Sequence, residues 1–200
     1  MQRLMLALAA ALAAGIGLIA LVLLLAGPEE GQSPSAISVA GADIGGPFEL
    51  TDHRGRRVSS DELIDGPTLV YFGYTFCPDV CPVDVAVMAE AADLMAERGI
   101  EATPVFVTID PARDTPEVLS WFADAMHPDM VGLTGSDEDI AAAAGAYKVY
   151  YARAEGDDPA NYLMNHSAFI YLMTPDGLAA LFRRGATPEE IAREAERVLG

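Results

Sequence analysis

Thr68-Leu69-Val70-Tyr71-Phe72-Gly73-Tyr74-Thr75-Phe76-Cys77-Pro78-Asp79-Val80-Cys81-Pro82 is the stretch on which the fold turns. Its first six residues are an apolar, β-branched and aromatic run, the signature of a buried strand. Pro82 to Arg98 then shows a helical period and stops at Gly99, a natural helix terminator. Thr103–Ile109 reads as a second buried strand. Outward from this pair, Phe48–Thr51 and Arg57–Ser59 flank His53-Arg54-Gly55 as a short hairpin. Thr115-Pro116-Glu117 opens a helix to about Ala125, and Ser136 caps another through Ala146. Ala168–Met173 and Leu178–Arg183 are strands joined by the turn Thr174-Pro175-Asp176-Gly177, and Thr187 caps a last helix to Leu199. The order predicts a central mixed sheet covered on both faces by helices.

The chemistry gathers where the first buried strand ends. Cys77 and Cys81 are four positions apart, which on a helix makes them neighbours on one face. The strand-to-helix junction offers Cys77 the positive end of a helix dipole, which favours thiolate, the form that binds metals or attacks disulfides. A plain stabilising disulfide or two buried cysteines are the competing readings, although such bridges usually close longer loops. Of three histidines, His53 at the hairpin tip and His127 before Pro128 read as solvated. His166 stands just before a strand expected to join the same sheet. Met88, Met126 and Met164 are candidate soft auxiliary donors or core filler. Asp79 lies between the cysteines, placed to tune them. Asp110, Arg113 and Asp114 follow the second strand, either as an acidic docking rim or as turn and cap chemistry with Arg113 paired locally. Tyr147, Tyr150 and Tyr151 read as packing or as a partner surface.

The 200 residues carry 12 basic and 30 acidic side chains, a net charge of −18. So acidic a chain is repelled by a polyanion, which excludes nucleic-acid binding. The 52% apolar content excludes global disorder, and two cysteines exclude a disulfide-dense scaffold or a Cys₄ zinc site. Leu4 to Gly27 is an uncharged Leu- and Ala-rich stretch, long enough for the roughly 20 residues a spanning helix needs. No convincing cleavage site follows it, so it reads as an uncleaved transmembrane anchor. Arg3 before it and Glu29-Glu30 after it place the bulk of the chain outside the cytoplasm. The expected organisation is a cytoplasmic N-terminus over residues 1–3, an anchor over 4–27, a flexible tether over 28–44 and one domain over 45–200.

Gly46-Pro47-Phe48, the Tyr71-to-Pro82 segment, Asp110-Pro111-Ala112-Arg113-Asp114-Thr115-Pro116, Gly132-Leu133-Thr134-Gly135, His166-Ser167 and Thr174-Pro175-Asp176-Gly177 occur in that order. In these motifs, from about Gly45 to the C-terminal helix, the chain resembles the Sco/SenC family, membrane-anchored copper proteins that assist cytochrome c oxidase assembly. The resemblance implies a thioredoxin-like fold, with Cys77, Cys81 and His166 as copper ligands. Two thiolates and a neutral imidazole total −1 around Cu(I) and zero around Cu(II), so one site can hold both. Soft donors suit copper, and Cys₂His would also accept zinc. Implied partners are the copper-site subunit of cytochrome c oxidase and either a second periplasmic copper chaperone or a thioredoxin-like reductant. The implied location is the bacterial inner membrane, single-pass, with the domain in the periplasm. The second function the residues allow is thiol-disulfide exchange, with Cys77 and Cys81 as a redox-active pair. One departure stands out: the family usually has aspartate before the histidine, and here it is Asn165. Losing that charge is expected to tilt bound copper toward Cu(I).

Overall fold

The computed structural model describes residues 36–37, 42–78, 80–155 and 161–200. The expected anchor over 4–27, most of the expected tether and Asp79 lie outside them. Among the described residues no helix is long and apolar enough to cross a membrane.

The elements are β1 (Ala36–Ile37), β2 (Glu49–Asp52), β3 (Arg57–Ser59), α1 (Ser60–Leu63), β4 (Thr68–Gly73), α2 (Val80–Ala96) and β5 (Thr103–Thr108). They continue with α3 (Pro116–Met126), β6 (Val131–Thr134), α4 (Asp137–Ala146), β7 (Tyr151–Arg153) and β8 (Met164–His166). β9 (Phe169–Thr174), β10 (Gly177–Arg183) and α5 (Pro188–Leu199) complete the chain. The caps read from sequence are in place: Thr115, Ser136 and Thr187 each accept the backbone N–H of the third residue of their helix. Gly99 follows α2 with φ +79°, the left-handed geometry expected of a terminating glycine.

Among the described residues, eight strands form one sheet in the order β1-β10-β9-β4-β5-β6-β2-β3. β4, β5 and β6 are parallel, and the remaining pairings are antiparallel. All six residues of β4 are buried, so helices or loops cover the central strand on both faces. α2 packs on β4 and β5 and against α5, α3 packs on β6, and α4 packs on β2. Leu69, Val70, Phe72, Met88, Val105, Phe106 and Leu133 form the middle of the core.

Two features depart from the sequence reading. Ala36–Ile37 falls within the stretch read as tether, yet it pairs with Phe182 and Leu181 at the sheet edge. Two residues are too few to show a period. His166 does stand just before β9 of the main sheet, but it lies in a short strand of its own. It ends β8, which pairs with β7 as a separate two-stranded sheet: Tyr151 opposite His166, Ala152 opposite Asn165, Arg153 opposite Met164.

Topology brings the distant segments together. β5 runs parallel to β4, so the Asp110–Asp114 turn lies at the same sheet edge as the cysteine loop that follows Gly73. β9 runs antiparallel to β4 with Ile170 opposite Tyr71, so the residues just before β9, His166 included, come back to that edge.

Candidate metal centre

Cys77 and Cys81 are both buried and are not joined in a disulfide. They do not share a helix face. Cys77 stands in the turn before α2, and its Sγ accepts the Cys81 backbone N–H at 3.4 Å, as an N-cap side chain would. The reason lies in the sequence: a residue before proline is pushed out of the α region, and Cys77 precedes Pro78. Cys81 occupies the first turn of α2, where the ring of Pro82 is tolerated. Gly73 leaves room for it, since a Cβ there would lie 3.1 Å from Cys81 Sγ and 2.9 Å from the Tyr71 ring.

His166 Nε2 lies 3.3 Å from Cys81 Sγ. The other ring nitrogen, Nδ1, is 2.9 Å from the Ser167 carbonyl oxygen, which can only accept, so the proton sits on Nδ1 and the Nε2 lone pair faces the sulfur. Burial holds the His166 pKa below its ordinary value, keeping the ring neutral at pH 7. Burial likewise pushes the Cys81 thiol well up, with the neighbouring Cys77 sulfur adding to the rise. Tyr71 and Tyr74 present their rings edge-to-face with the imidazole, each at 6.1 Å between centroids. Tyr71 Oη donates to the buried Asp84 at 3.1 Å, and Tyr74 Oη accepts the Met164 N–H at 3.2 Å, tying β8 to the cysteine loop.

Donors sharing one metal at about 2.0–2.3 Å stand about 3.5–3.8 Å apart at tetrahedral to trigonal angles. The Cys81–His166 pair is within a few tenths of an ångström of that spacing. Among the described residues no three His, Cys, Asp or Glu side chains stand in a closed metal-holding array. Cys81 and His166 stand near this spacing, and Cys77 Sγ lies 3.4 Å from the Cys81 amide nitrogen beside them.

The flanking acidic residues form a buried frame rather than a rim. Asp114 accepts Thr75 N–H at 3.0 Å, Thr75 Oγ1 at 2.5 Å and Thr108 Oγ1 at 2.6 Å, joining the cysteine loop to the end of β5. Asp110 accepts Tyr162 Oη at 2.6 Å and pairs with Arg113 Nε. Asn165 is exposed, and strand alternation puts it on the face of β8 opposite His166. The charge effect expected of this position needs its side chain on the sulfur side of β8, and the pleat points it to the other face.

His53 and His127 are not merely solvated. His53 Nδ1 accepts the Gly132 N–H at 3.1 Å. His127 Nδ1 accepts the Asp129 N–H at 3.1 Å, while its Nε2 lies 3.2 Å from Asp93. Neither approaches the cysteines through any of these bonds. Met88 is core, Met126 is half-buried, and Met164 shares the His166 face of β8. Tyr147 is buried, Tyr151 half-buried and Tyr150 exposed. The sequence reading did not single out Tyr71, Tyr74, Thr75, Asp84 or Tyr162. Aromatic residues beside the cysteines were the only available signal, and for Tyr162 there was none.

A thioredoxin-like α/β domain thus carries two thiols and an imidazole at one sheet edge, side chains of the types that soft metals and disulfide exchange use. The chain belongs to the SCO1/SenC family, whose sequence profile matches residues 38–200. It is 51% identical over 154 residues to protein SenC of Rhodobacter capsulatus, covering 76% of this chain and 69% of that one. Its fold is similar to that of Arabidopsis thaliana ScoI, solved with copper bound, at a TM-score of 0.72 and 36% identity over 77% of this chain and 99% of that one. It is also similar to BsSco, a member of the Sco family of cytochrome c oxidase assembly proteins in which a disulfide switch was identified. That match has a TM-score of 0.61 and 26% identity, over 78% of this chain and 92% of that one.

Proposed function

We propose that this chain takes up one copper ion on Cys77 Sγ, Cys81 Sγ and His166 Nε2 and passes it to the copper-site subunit of cytochrome c oxidase during assembly. The observation that carries this reading is the Nε2 lone pair facing Cys81 Sγ at 3.3 Å, with its tautomer set by Ser167. Soft thiolates with an imidazole suit copper. Arabidopsis ScoI, similar over most of this chain, holds copper. Each thiol that ligates gives up its proton, so copper uptake strengthens as pH rises. Transfer through shared thiolate ligation avoids releasing the free ion. The uncharged stretch over residues 4–27 supports a single-pass inner-membrane anchor with the domain in the periplasm. A periplasmic copper chaperone or a thioredoxin-like reductant would serve the same site as donor or recycler.

A second reading is thiol-disulfide exchange with cysteines of the oxidase copper site or of other exported proteins. The approach of Cys77 Sγ to the Cys81 amide and the disulfide switch identified in BsSco favour it. In that reaction the two thiols form a disulfide and lose two electrons and two protons, which the partner's disulfide takes up. The two readings separate at His166. Copper transfer from full-length chain to copper-free oxidase subunit should be abolished in His166→Ala, while disulfide reduction by the same variant continues. Undiminished transfer by His166→Ala would contradict the copper reading.

A further inference from the structure

The thiols and the imidazole are held by different parts of the fold. Cys77 and Cys81 belong to the β4–α2 junction of the main sheet, whereas His166 is carried by the three-residue ladder of β7 and β8. A two-stranded ladder is marginal in isolation, so something must fix it against the main sheet. Tyr74 Oη to Met164 N supplies one tie, whereas the Ser167 N–H, donated to the Tyr150 carbonyl at 2.9 Å, only lengthens the ladder itself. The densest tie is elsewhere, four residues ahead of His166. Tyr162 Oη donates to the buried Asp110 at 2.6 Å, and its carbonyl accepts Arg113 Nη1 at 2.9 Å. Its ring is faced by two guanidinium groups, Arg113 at 3.7 Å and Arg153 at 3.9 Å. Arg113 in turn pairs with Asp110 and lies 4.8 Å from the ring of Phe76, the residue before Cys77.

The geometry points to Tyr162 as the positioning residue of the site: clamped by Asp110, Arg113 and Arg153, it sets where His166 Nε2 stands relative to Cys81 Sγ. This rests on the copper reading above. Tyr162 touches neither the ion nor the thiols. It acts through the chain, because its backbone is pinned to the turn after β5, and that turn shares an edge with the cysteine loop. Both the phenol and the guanidinium planes are needed. The hydroxyl satisfies one oxygen of a carboxylate that is 4% exposed, while the ring keeps two like-charged groups apart and attracts each through its face. Partners that orient a metal-binding histidine typically change metal affinity about 10- to 100-fold when removed.

The test uses the full-length chain loaded with Cu(II). It follows copper loss to a chelator, the imidazole-nitrogen coupling in the electron spin resonance spectrum, and the melting of each metal-free variant. Tyr162→Leu is expected to lose copper about tenfold faster, with altered nitrogen coupling. Tyr162→Phe keeps the ring and is expected to lose it about fivefold faster, the worth of one hydrogen bond. His166→Ala is the reference and should lack the coupling. If His166→Ala keeps it, the copper reading itself fails. If His166→Ala loses it while a folded Tyr162→Leu keeps wild-type release and coupling, whatever its melting temperature, the positioning role alone is overturned. Should Tyr162→Leu not fold, Tyr162→Phe decides: wild-type release and coupling overturn the assignment.

Discussion

Cys81 Sγ and His166 Nε2 meet at 3.3 Å across 85 positions of sequence. The contact exists because β9 returns antiparallel beside β4, placing the end of one segment against the start of the other. It joins a buried thiol to a half-buried neutral imidazole, and both protonation states follow from desolvation. A cation that displaces the thiol proton finds a soft, preorganised donor pair.

Burial gives the metal-free protein a stability plateau bounded on both sides. The folded pKa of His166 lies below its ordinary 6.5, so as pH falls through 6.5 the unfolded chain takes up the proton first and stability declines. The folded pKa of Cys81 lies above its ordinary 9.0, so above pH 9 the unfolded chain releases that proton first and stability declines again. Each group contributes at most about 1.4 kcal/mol per pH unit. Denaturant titrations across pH should show the acid-side slope reduced in His166→Gln and the alkaline-side slope reduced in Cys81→Ser. Slopes identical to wild type would contradict the assignment of these groups.

Gly73→Ala tests how tightly Cys81 is seated. The added Cβ would stand 2.9 Å from the Tyr71 ring, 3.0 Å from Phe106 and 3.1 Å from Cys81 Sγ. Overpacking of this kind costs about 1–3 kcal/mol. Both the denaturation midpoint and copper retention should fall, because the obstruction displaces the Cys81 sulfur that the proposed function assigns to copper. A stable variant with wild-type retention would show that the sulfur has slack.

Asp114→Ala removes the acceptor that holds the cysteine loop to β5 and strands the Thr75 amide and the Thr108 hydroxyl. The expected loss is about 2–3 kcal/mol. Because Thr75 lies two residues before Cys77, copper retention should drop with stability. A loss under about 0.5 kcal/mol, read from denaturation, would contradict the structural role.

Asn165→Asp should change the copper potential little. The exposed position and the opposed strand face leave the new charge in water, where a Debye length of about 8 Å screens it. The expected shift is below about 30 mV, the size of a roughly 0.7 kcal/mol interaction in water-like surroundings. Redox titration of both loaded proteins checks it, and a fall of 100 mV or more would mean the side chain reaches the metal.

The strands, helices and caps were legible because their signals are local. Thr68–Gly73 is a run of apolar, β-branched and aromatic residues, Thr115-Pro116 and Thr187-Pro188 open helices, and Gly99 closes one. The donor residues were legible as types, and His166 mainly through its family motif. Their spatial relation was not, since nothing within eight residues of His166 encodes its distance from Cys81. The β7–β8 ladder escaped because its strands are three residues long, too short for alternation to register. Tyr162 escaped because its partners, Asp110 and Arg113, are 52 and 49 positions away.

X-ray absorption at the copper edge of the loaded full-length chain tests the central claim most directly. The account predicts a shell of two sulfurs at about 2.3 Å and one imidazole nitrogen at about 2.0 Å, with one sulfur lost in Cys77→Ser and the imidazole lost in His166→Ala. A shell of oxygen and nitrogen alone in the wild type, or an unchanged sulfur count in Cys77→Ser, would contradict it.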